Sequence, residues 1–166
     1  MKIIGTMRAL DATRGVVRVE DVYDTDIADL WRACTVPERL ARWLGDFSGD
    51  LRIGGTIRAS FTSSWTGPGR VEVCEPPHHL LLTMGLGADD ETQMEAWLTE
   101  ERVTAEVTRT RLVVEERGLP LDSLHYYGSG WQAHLEDLAR SLSGGASVWH
   151  DRWTELTPAY QQLGVN

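Results

Sequence analysis

Apolar side chains recur every three to four residues between Pro120 and Gly144, which predicts one long amphipathic helix. Most of the chain before this helix consists of short runs that are β-branched or that alternate between apolar and polar residues, as β-strands do. A long helix after a set of strands serves to close the apolar face of their sheet. We therefore expect a sheet covered by the helix, with side chains or a ligand between them. The helix face is formed by Leu124, Tyr127, Trp131, Leu135, Leu138 and Leu142.

The strands and shorter helices are delimited by turn and capping residues. A first strand is predicted at 16–23, and about six more follow between Phe47 and Arg117. Between the first strand and the rest lie two short helices. Asp24 or Thr25 caps the first, and Thr35-Val36-Pro37-Glu38 has the form of a capping box for the second. Gly67-Pro68-Gly69 predicts a turn between strands.

The two ends of the chain differ from this central region. Residues 1–15 have no clear hydrophobic period and are interpreted as an extended N-terminal arm. Residues 146–166 predict a helical C-terminal extension, in which Trp149, Trp153 and Leu156 share a face and Thr157-Pro158 starts a last helical piece. Because such aromatic side chains avoid water, the extension packs either on the domain or on a second copy of it, which would make a homodimer.

Composition narrows the classes of partner. A chain of 166 residues is expected to form one domain with a real core. Its net charge of −9 argues against binding to nucleic acid or to an anionic membrane surface, since phosphate contacts need basic residues. No long apolar run or signal pattern is present, and Cys34 and Cys74 have no metal-type spacing, so we expect a reduced, cytoplasmic protein.

Seven short motifs occur along the chain in a characteristic order. They are Asp29-Leu30-Trp31-Arg32-Ala33, Thr35-x-Pro37-Glu38-x-Leu40-x-Arg42-Trp43, Asp50-Leu51-Arg52-x-Gly54-Gly55, Gly69-Arg70-Val71, Glu75-Pro76-Pro77-x-x-Leu80, Gly118-Leu119-Pro120 and Gly130-Trp131-x-x-His134-Leu135. In this order and spacing they resemble the SRPBCC (START-like, Bet v 1-like) superfamily, in the branch related to the C-terminal domain of the Hsp90 ATPase activator. The chain departs from the branch in two places: the strand ending at Met84 usually ends in an aromatic residue in these relatives, and the segment after Gly145 lies outside the shared domain.

The resemblance implies an α+β helix-grip fold over residues 16–145. In it, a curved antiparallel sheet of about six to seven strands wraps around the long C-terminal helix and leaves a cavity. Members of the wider superfamily bind lipids, hormones or polyketides in that cavity, and some are cyclases, dehydratases or hydrolases. Members of this branch are mostly bacterial proteins, and some resemble stress or toxin-resistance proteins. The co-chaperone role belongs to eukaryotic relatives that carry an additional domain.

The titratable residues give no strong catalytic or metal signal. His125 and His134 are nine positions apart, whereas two metal ligands on one helix are three or four apart. No nucleophile, phosphate-loop or dinucleotide motif is present, so we predict no metal and no cofactor. Glu115-Glu116 is interpreted as a solvated strand edge, because adjacent residues on a strand face opposite ways. His134 borders the helix face and either contacts a ligand or is satisfied by a backbone carbonyl.

These patterns lead to three hypotheses of function. The first is the binding of a small hydrophobic or aromatic ligand in the cavity, in a role such as stress or toxin resistance. The second is a lyase, cyclase or hydrolase that uses His134 or Tyr127 there. The third is a protein-interaction module of the chaperone-activator kind. The residues predicted to line the cavity are Trp43, Phe61, Leu82, Trp97, Tyr127, Trp131 and His134.

Overall fold

A single curved antiparallel sheet of eight strands forms the body of the protein in the computed structural model, which describes residues 1–166. The spatial order of the strands is β1-β2-β8-β7-β6-β5-β4-β3, so the hairpin series β3 to β8 ends beside β2. The strands are β1 (Gly5–Ala9), β2 (Arg14–Tyr23), β3 (Gly45–Gly49), β4 (Thr56–Phe61), β5 (Thr66–Glu75), β6 (His79–Met84), β7 (Thr92–Arg102) and β8 (Thr108–Pro120).

Two short helices connect β2 to β3, as the sequence predicts. Helix α1 spans Ile27–Thr35, and the carboxylate of its N-cap residue Asp26 accepts the backbone N–H of Asp29 at 2.8 Å. Helix α2 spans Pro37–Leu40 with Pro37 in its first turn. The predicted capping box is wrong, because the Thr35 hydroxyl instead donates to the Trp31 carbonyl inside α1.

The long helix α3 (Leu124–Leu142) follows a turn of 3₁₀ helix at Leu121–Ser123 and covers the inner face of the sheet. Leu135 and Leu138 are completely buried, and the Leu135 carbonyl accepts the hydroxyl of Tyr23 from β2 at 2.9 Å. The predicted closure of the sheet by this helix is thereby confirmed. No helix of the protein combines the length and the apolar character needed to cross a lipid bilayer.

The N-terminal residues are more ordered than the sequence suggests. Gly5–Ala9 pairs with β2 as an edge strand and buries Met7, which raises the strand count to eight. A five-residue strand has too few positions to show its period, so the pattern alone missed it.

A second difference concerns the predicted turn at Gly67-Pro68-Gly69, which lies inside β5. Pro68 pairs with Arg58 of β4, and its carbonyl accepts the N–H of Gly85 at 2.7 Å. A side chain at Gly67 would come within 2.8 Å of the Trp65 ring, so the glycine makes room for that indole. The turn therefore lies earlier, around residues 62–65.

The C-terminal extension forms helix α4 (Trp149–Leu163), which packs on α3. Leu156 and Tyr160 are completely buried on either side of Pro158. Because both anchors lie on one continuous face, the helix runs through Pro158 rather than restarting there, despite the proline's missing N–H donor.

Candidate ligand pocket

A cavity of about 440 Å³ lies at one end of the interface between the sheet and α3. Its remaining walls come from α4, from the connection between β4 and β5, and from the ends of β6, β7 and β8. Most of its large side chains are aromatic: Phe61, Trp65, Tyr126, Tyr127, Trp131, Trp149 and Trp153.

The inner end of the pocket contains a buried carboxylate, that of Glu116 on β8. The side chain is only 8% exposed, and its two oxygens accept the indole N–H of Trp131 at 2.8 Å and the hydroxyl of Thr92 at 2.7 Å. Burial raises the pKa of Glu116, while these two donors partly offset that effect by favouring the charged form. The residue thus brings a carboxyl group into an aromatic surrounding.

His134 lies beside Trp131 on the same helix and also lines the pocket. Its Nδ1 is 3.0 Å from the carbonyl of Trp43, which can only accept, so Nδ1 carries the proton. Burial among aromatic rings lowers the pKa of His134 to about 4. The imidazole is therefore neutral near pH 7, and its Nε2 is a hydrogen-bond acceptor.

Polar groups of both signs surround the outer part of the pocket. The guanidinium of Arg14 donates to the carbonyls of Asp89 at 3.0 Å and Gly118 at 3.5 Å, whereas Asp90 accepts the indole N–H of Trp65 at 3.0 Å. Tyr127 is 39% exposed, and burial together with the nearby charge of Glu116 raises the pKa of its hydroxyl. The hydrogen bond to Asp90 holds the indole of Trp65 at the wall of the pocket.

Helix α4 supplies one side of the wall. The indole of Trp149 donates to the Gly130 carbonyl at 2.9 Å, and that of Trp153 donates to the Tyr126 carbonyl at 3.0 Å. The two rings are nearly parallel, with centroids 5.6 Å apart. Both indoles are thus held to backbone carbonyls of α3 with their faces available for packing.

The residues predicted to line a cavity are divided by the structure among three places. Phe61, Tyr127, Trp131 and His134 meet at the 440 Å³ pocket. Trp43 and Leu82 instead line a separate apolar cavity of about 50 Å³, which Trp131 also borders. That second space is far smaller than an ordinary ligand pocket.

Trp97 does not reach either cavity, contrary to prediction. It lies on β7 opposite His79 of β6, and the two rings stack with centroids 5.7 Å apart. Its strand neighbours Met94 and Leu98 are buried in the core, so the alternation of the strand directs Trp97 to the other face of the sheet.

Glu116 is the main pocket residue that sequence reasoning missed, because Glu115-Glu116 was interpreted as a solvated edge. The signal was present in the chain: Leu112 and Val114 precede Glu116 at intervals of two, and both are buried. Glu115 faces the other way and accepts hydrogen bonds from Arg8 and Arg117.

The arrangement suits recognition better than acid–base or nucleophilic chemistry. His134 contacts a backbone carbonyl rather than a carboxylate, and burial raises the pKa of the Cys34 thiol to about 12. No cluster of three or more His, Cys, Asp or Glu side chains could hold a metal ion. What the pocket offers is aromatic surface with a few fixed polar atoms.

Comparison with known proteins places the chain in a family. A family model described as Activator of Hsp90 ATPase homolog 1-like protein matches residues 24–143. The chain belongs to this family. The matched segment ends one residue after α3, so β1, all of β2 and α4 lie outside it. No curated protein matches the sequence.

Several solved structures are similar to this chain in fold. CalU16 from Micromonospora echinospora is 26% identical over 96% of this chain and 94% of its own, with a TM-score of 0.73. DynU16, a putative protein in the dynemicin biosynthetic locus, is 29% identical over 80% of this chain, which corresponds to 48% of DynU16, with a TM-score of 0.68. EF2215 from Enterococcus faecalis, a conserved protein of unknown function, is 16% identical, covers 95% of this chain and 88% of its own, and has a TM-score of 0.73; it is similar in fold alone.

Proposed function

We propose that the protein binds a small hydrophobic or aromatic molecule in the pocket between the sheet, α3 and α4. The observation that carries this proposal is the 440 Å³ cavity lined by seven aromatic side chains. Ligand pockets usually have volumes of about 300–1,000 Å³, with mostly apolar walls and few polar groups. A space of this size beside a contiguous buried core is suited to a bound ligand.

The relatives support a link to small-molecule metabolism. DynU16 is described as a putative protein in the dynemicin biosynthetic locus, and its similarity extends over most of the present chain. We extend this to a role for the present protein in handling a toxic or stress-related small molecule. Its net charge of −9 supports a small ligand over a nucleic acid or an anionic membrane as partner.

The two alternative functions have weaker support. Catalysis by His134 or Tyr127 would require a carboxylate within hydrogen-bond reach, yet neither side chain has a hydrogen bond to one. A protein-interaction module would require Trp149 and Trp153 to be available on the surface, yet Trp149 is buried against α3 and Trp153 is partly buried.

Native mass spectrometry of the purified protein, followed by denaturation, tests the proposal directly. We expect a stoichiometric small molecule, or else a rise in melting temperature with members of a panel of hydrophobic aromatic compounds. A protein that is empty and whose melting temperature no compound changes would contradict ligand binding. Light scattering of the same sample distinguishes a monomer from a homodimer, the two states that the C-terminal extension allowed on sequence grounds.

A matched pair of tryptophan variants locates the binding site. Trp153→Ala removes part of the pocket wall, and we expect it to weaken binding of a compound found in the panel by about tenfold, from the lost apolar contact. Trp97→Ala removes an equally half-buried tryptophan from the opposite face of the sheet, so it should leave affinity unchanged. Equal affinities in the two variants would place the compound elsewhere.

A further inference from the structure

The polar atoms at the inner end of the pocket point to the chemical class of the ligand. We propose that the ligand is an aromatic or hydrophobic amine, with its ammonium or amine N–H groups donating to the carboxylate of Glu116 and to Nε2 of His134. This inference rests on the proposed function and specifies which small molecules the pocket selects.

The carboxylate of Glu116 is buried without a cation. Both of its hydrogen bonds come from neutral donors, the indole of Trp131 and the hydroxyl of Thr92. Arg117, its neighbour in sequence, lies on the other face of the sheet and pairs with Glu95 and Glu115. A buried carboxylate normally has a cationic partner, and each carboxylate oxygen can accept a second hydrogen bond.

His134 provides a second acceptor. Nδ1 is occupied by the Trp43 carbonyl, and Nε2 has no hydrogen-bond partner in the protein. Every side-chain nitrogen or oxygen that is fully shielded from solvent does have a partner, so Nε2 must have accessible surface although the residue is 4% exposed. Since the residue lines the pocket, this surface faces the cavity. A ligand that donates hydrogen bonds fits both atoms.

The tryptophans of the pocket have no free hydrogen-bond donors. The indole N–H groups of all four pocket tryptophans are already used within the protein: Trp65 to Asp90, Trp131 to Glu116, Trp149 to Gly130 and Trp153 to Tyr126. What remains toward the cavity is aromatic ring surface, whose faces attract cations. A ligand that needs hydrogen-bond donors, such as a carboxylate or phosphate, would find none on these indoles.

The charges of the pocket favour the same ligand class. Glu116 and Asp90 contribute two carboxyl groups, whereas Arg14 contributes the one guanidinium, which is engaged by the carbonyls of Asp89 and Gly118. Burial raises the pKa of Glu116, and a bound ammonium group would supply the missing opposite charge.

Three probes that share a naphthylmethyl group and differ in charge test the proposal by isothermal titration calorimetry at neutral pH. Naphthylmethylamine is a cation, naphthylmethanol is neutral and naphthylacetate is an anion. We expect the amine to bind wild-type protein roughly tenfold or more tightly than the alcohol, because it alone provides a charge for Glu116, and the anion to bind most weakly. Glu116→Gln should remove the preference for the amine over the alcohol.

The control variant is Glu115→Gln, which neutralises the adjacent carboxylate on the outer face of the same strand. It should retain the full preference for the amine. An amine that binds wild-type protein no more tightly than the alcohol would overturn the inference and leave the proposed function intact. Glu116→Gln weakening all probes equally would assign Glu116 a purely structural role. Failure of all three probes to bind would contradict the proposed function and this inference together.

Discussion

The imidazole of His134 is held in one tautomer and one protonation state. The Trp43 carbonyl accepts the proton on Nδ1, and rings of Phe61, Trp131 and Trp149 lie around the imidazole. A charged imidazolium in this position would lose its hydration without gaining a carboxylate partner. Neutral histidine is therefore part of the folded state, and this has a consequence for stability.

We expect His134 to destabilise the fold as the pH falls from about 6.5 to about 4. In this range the unfolded chain takes up a proton at the ordinary pKa of 6.5, whereas the folded protein resists it until about pH 4. A difference of this size corresponds to about 3 kcal/mol of unfolding free energy. Urea unfolding of wild-type protein and His134→Gln at pH 7 and pH 4 measures it, because the variant lacks this component. The same loss in both proteins would contradict the assignment.

Glu116 shows that a strand pattern alone does not predict the environment of a single side chain. The alternation after Leu112 and Val114 places it on the core face, whereas the charge of the side chain favours solvent exposure. Its environment depends on Trp131 and Thr92, which lie 15 and 24 residues away along the chain. Such long-range donors cannot be paired with a carboxylate from local spacing, whereas Phe61, Trp131 and His134 were found because aromatic type and helix face are local properties.

At the level of helices, the contact between α3 and α4 depends on two glycines with different surroundings. A Cβ at Gly128 would lie 2.6 Å from the buried ring of Tyr160, while a Cβ at Gly130 would lie 3.4 Å from the Trp149 ring. The first distance requires the ring to move, and the second is an ordinary contact.

Gly128→Ala should therefore lower the free energy of unfolding by about 1–3 kcal/mol through overpacking against Tyr160. Gly130→Ala is the matched control, because it adds the same methyl group two positions further along the same helix without a clash. It should be neutral or stabilise the protein by up to about 1 kcal/mol through better helix propensity. Thermal unfolding of both variants measures these changes in stability. Equal changes in the two variants would contradict the close packing of α4 on Gly128.

The type and order of the helices and strands could be predicted from the sequence. Their first and last residues could be predicted less well. The long helix, the two short helices and the hairpin series follow from periodicity, and these are confirmed. The turn predicted at Gly67-Pro68-Gly69 was wrong because glycine and proline are also used where a bulky neighbour, here Trp65, crosses the strand. The strand Gly5–Ala9 was missed because its stability comes from pairing with β2, which is a tertiary effect.

At the level of the whole molecule, Gln132 of α3 joins the N-terminal segment to α4. Its amide oxygen accepts the N–H of Ile4 at 3.1 Å and the hydroxyl of Tyr160 at 2.6 Å, and its amide nitrogen donates to the Lys2 carbonyl at 2.8 Å. Asn166 adds two backbone hydrogen bonds to β1, through Met7 and Ala9. The two ends of the chain are therefore connected to each other as well as to α3.

We expect β1 and α4 to open together. In Gln132→Ala, hydrogen exchange followed by mass spectrometry should become faster in Gly5–Ala9 and in Trp149–Leu163. The reason is that Lys2 and Ile4, directly before β1, and Tyr160 of α4 all lose hydrogen bonds to the same amide. The central strands β6 and β7 have no hydrogen bond to this side chain and should keep their protection. Faster exchange in only one of the two terminal segments would show that they open independently.

The origin of the pocket walls has a consequence for ligand preference. Phe61, Trp131 and Glu116 belong to the segment shared by the family, whereas Trp149 and Trp153 lie beyond it on α4. Substitutions in α4 can change one side of the pocket without altering residues that hold the sheet together. Under the proposed function, a change of side chains in α4 would therefore alter ligand preference at one wall of the pocket, while strands β3 to β8 and the carboxylate of Glu116 stay in place.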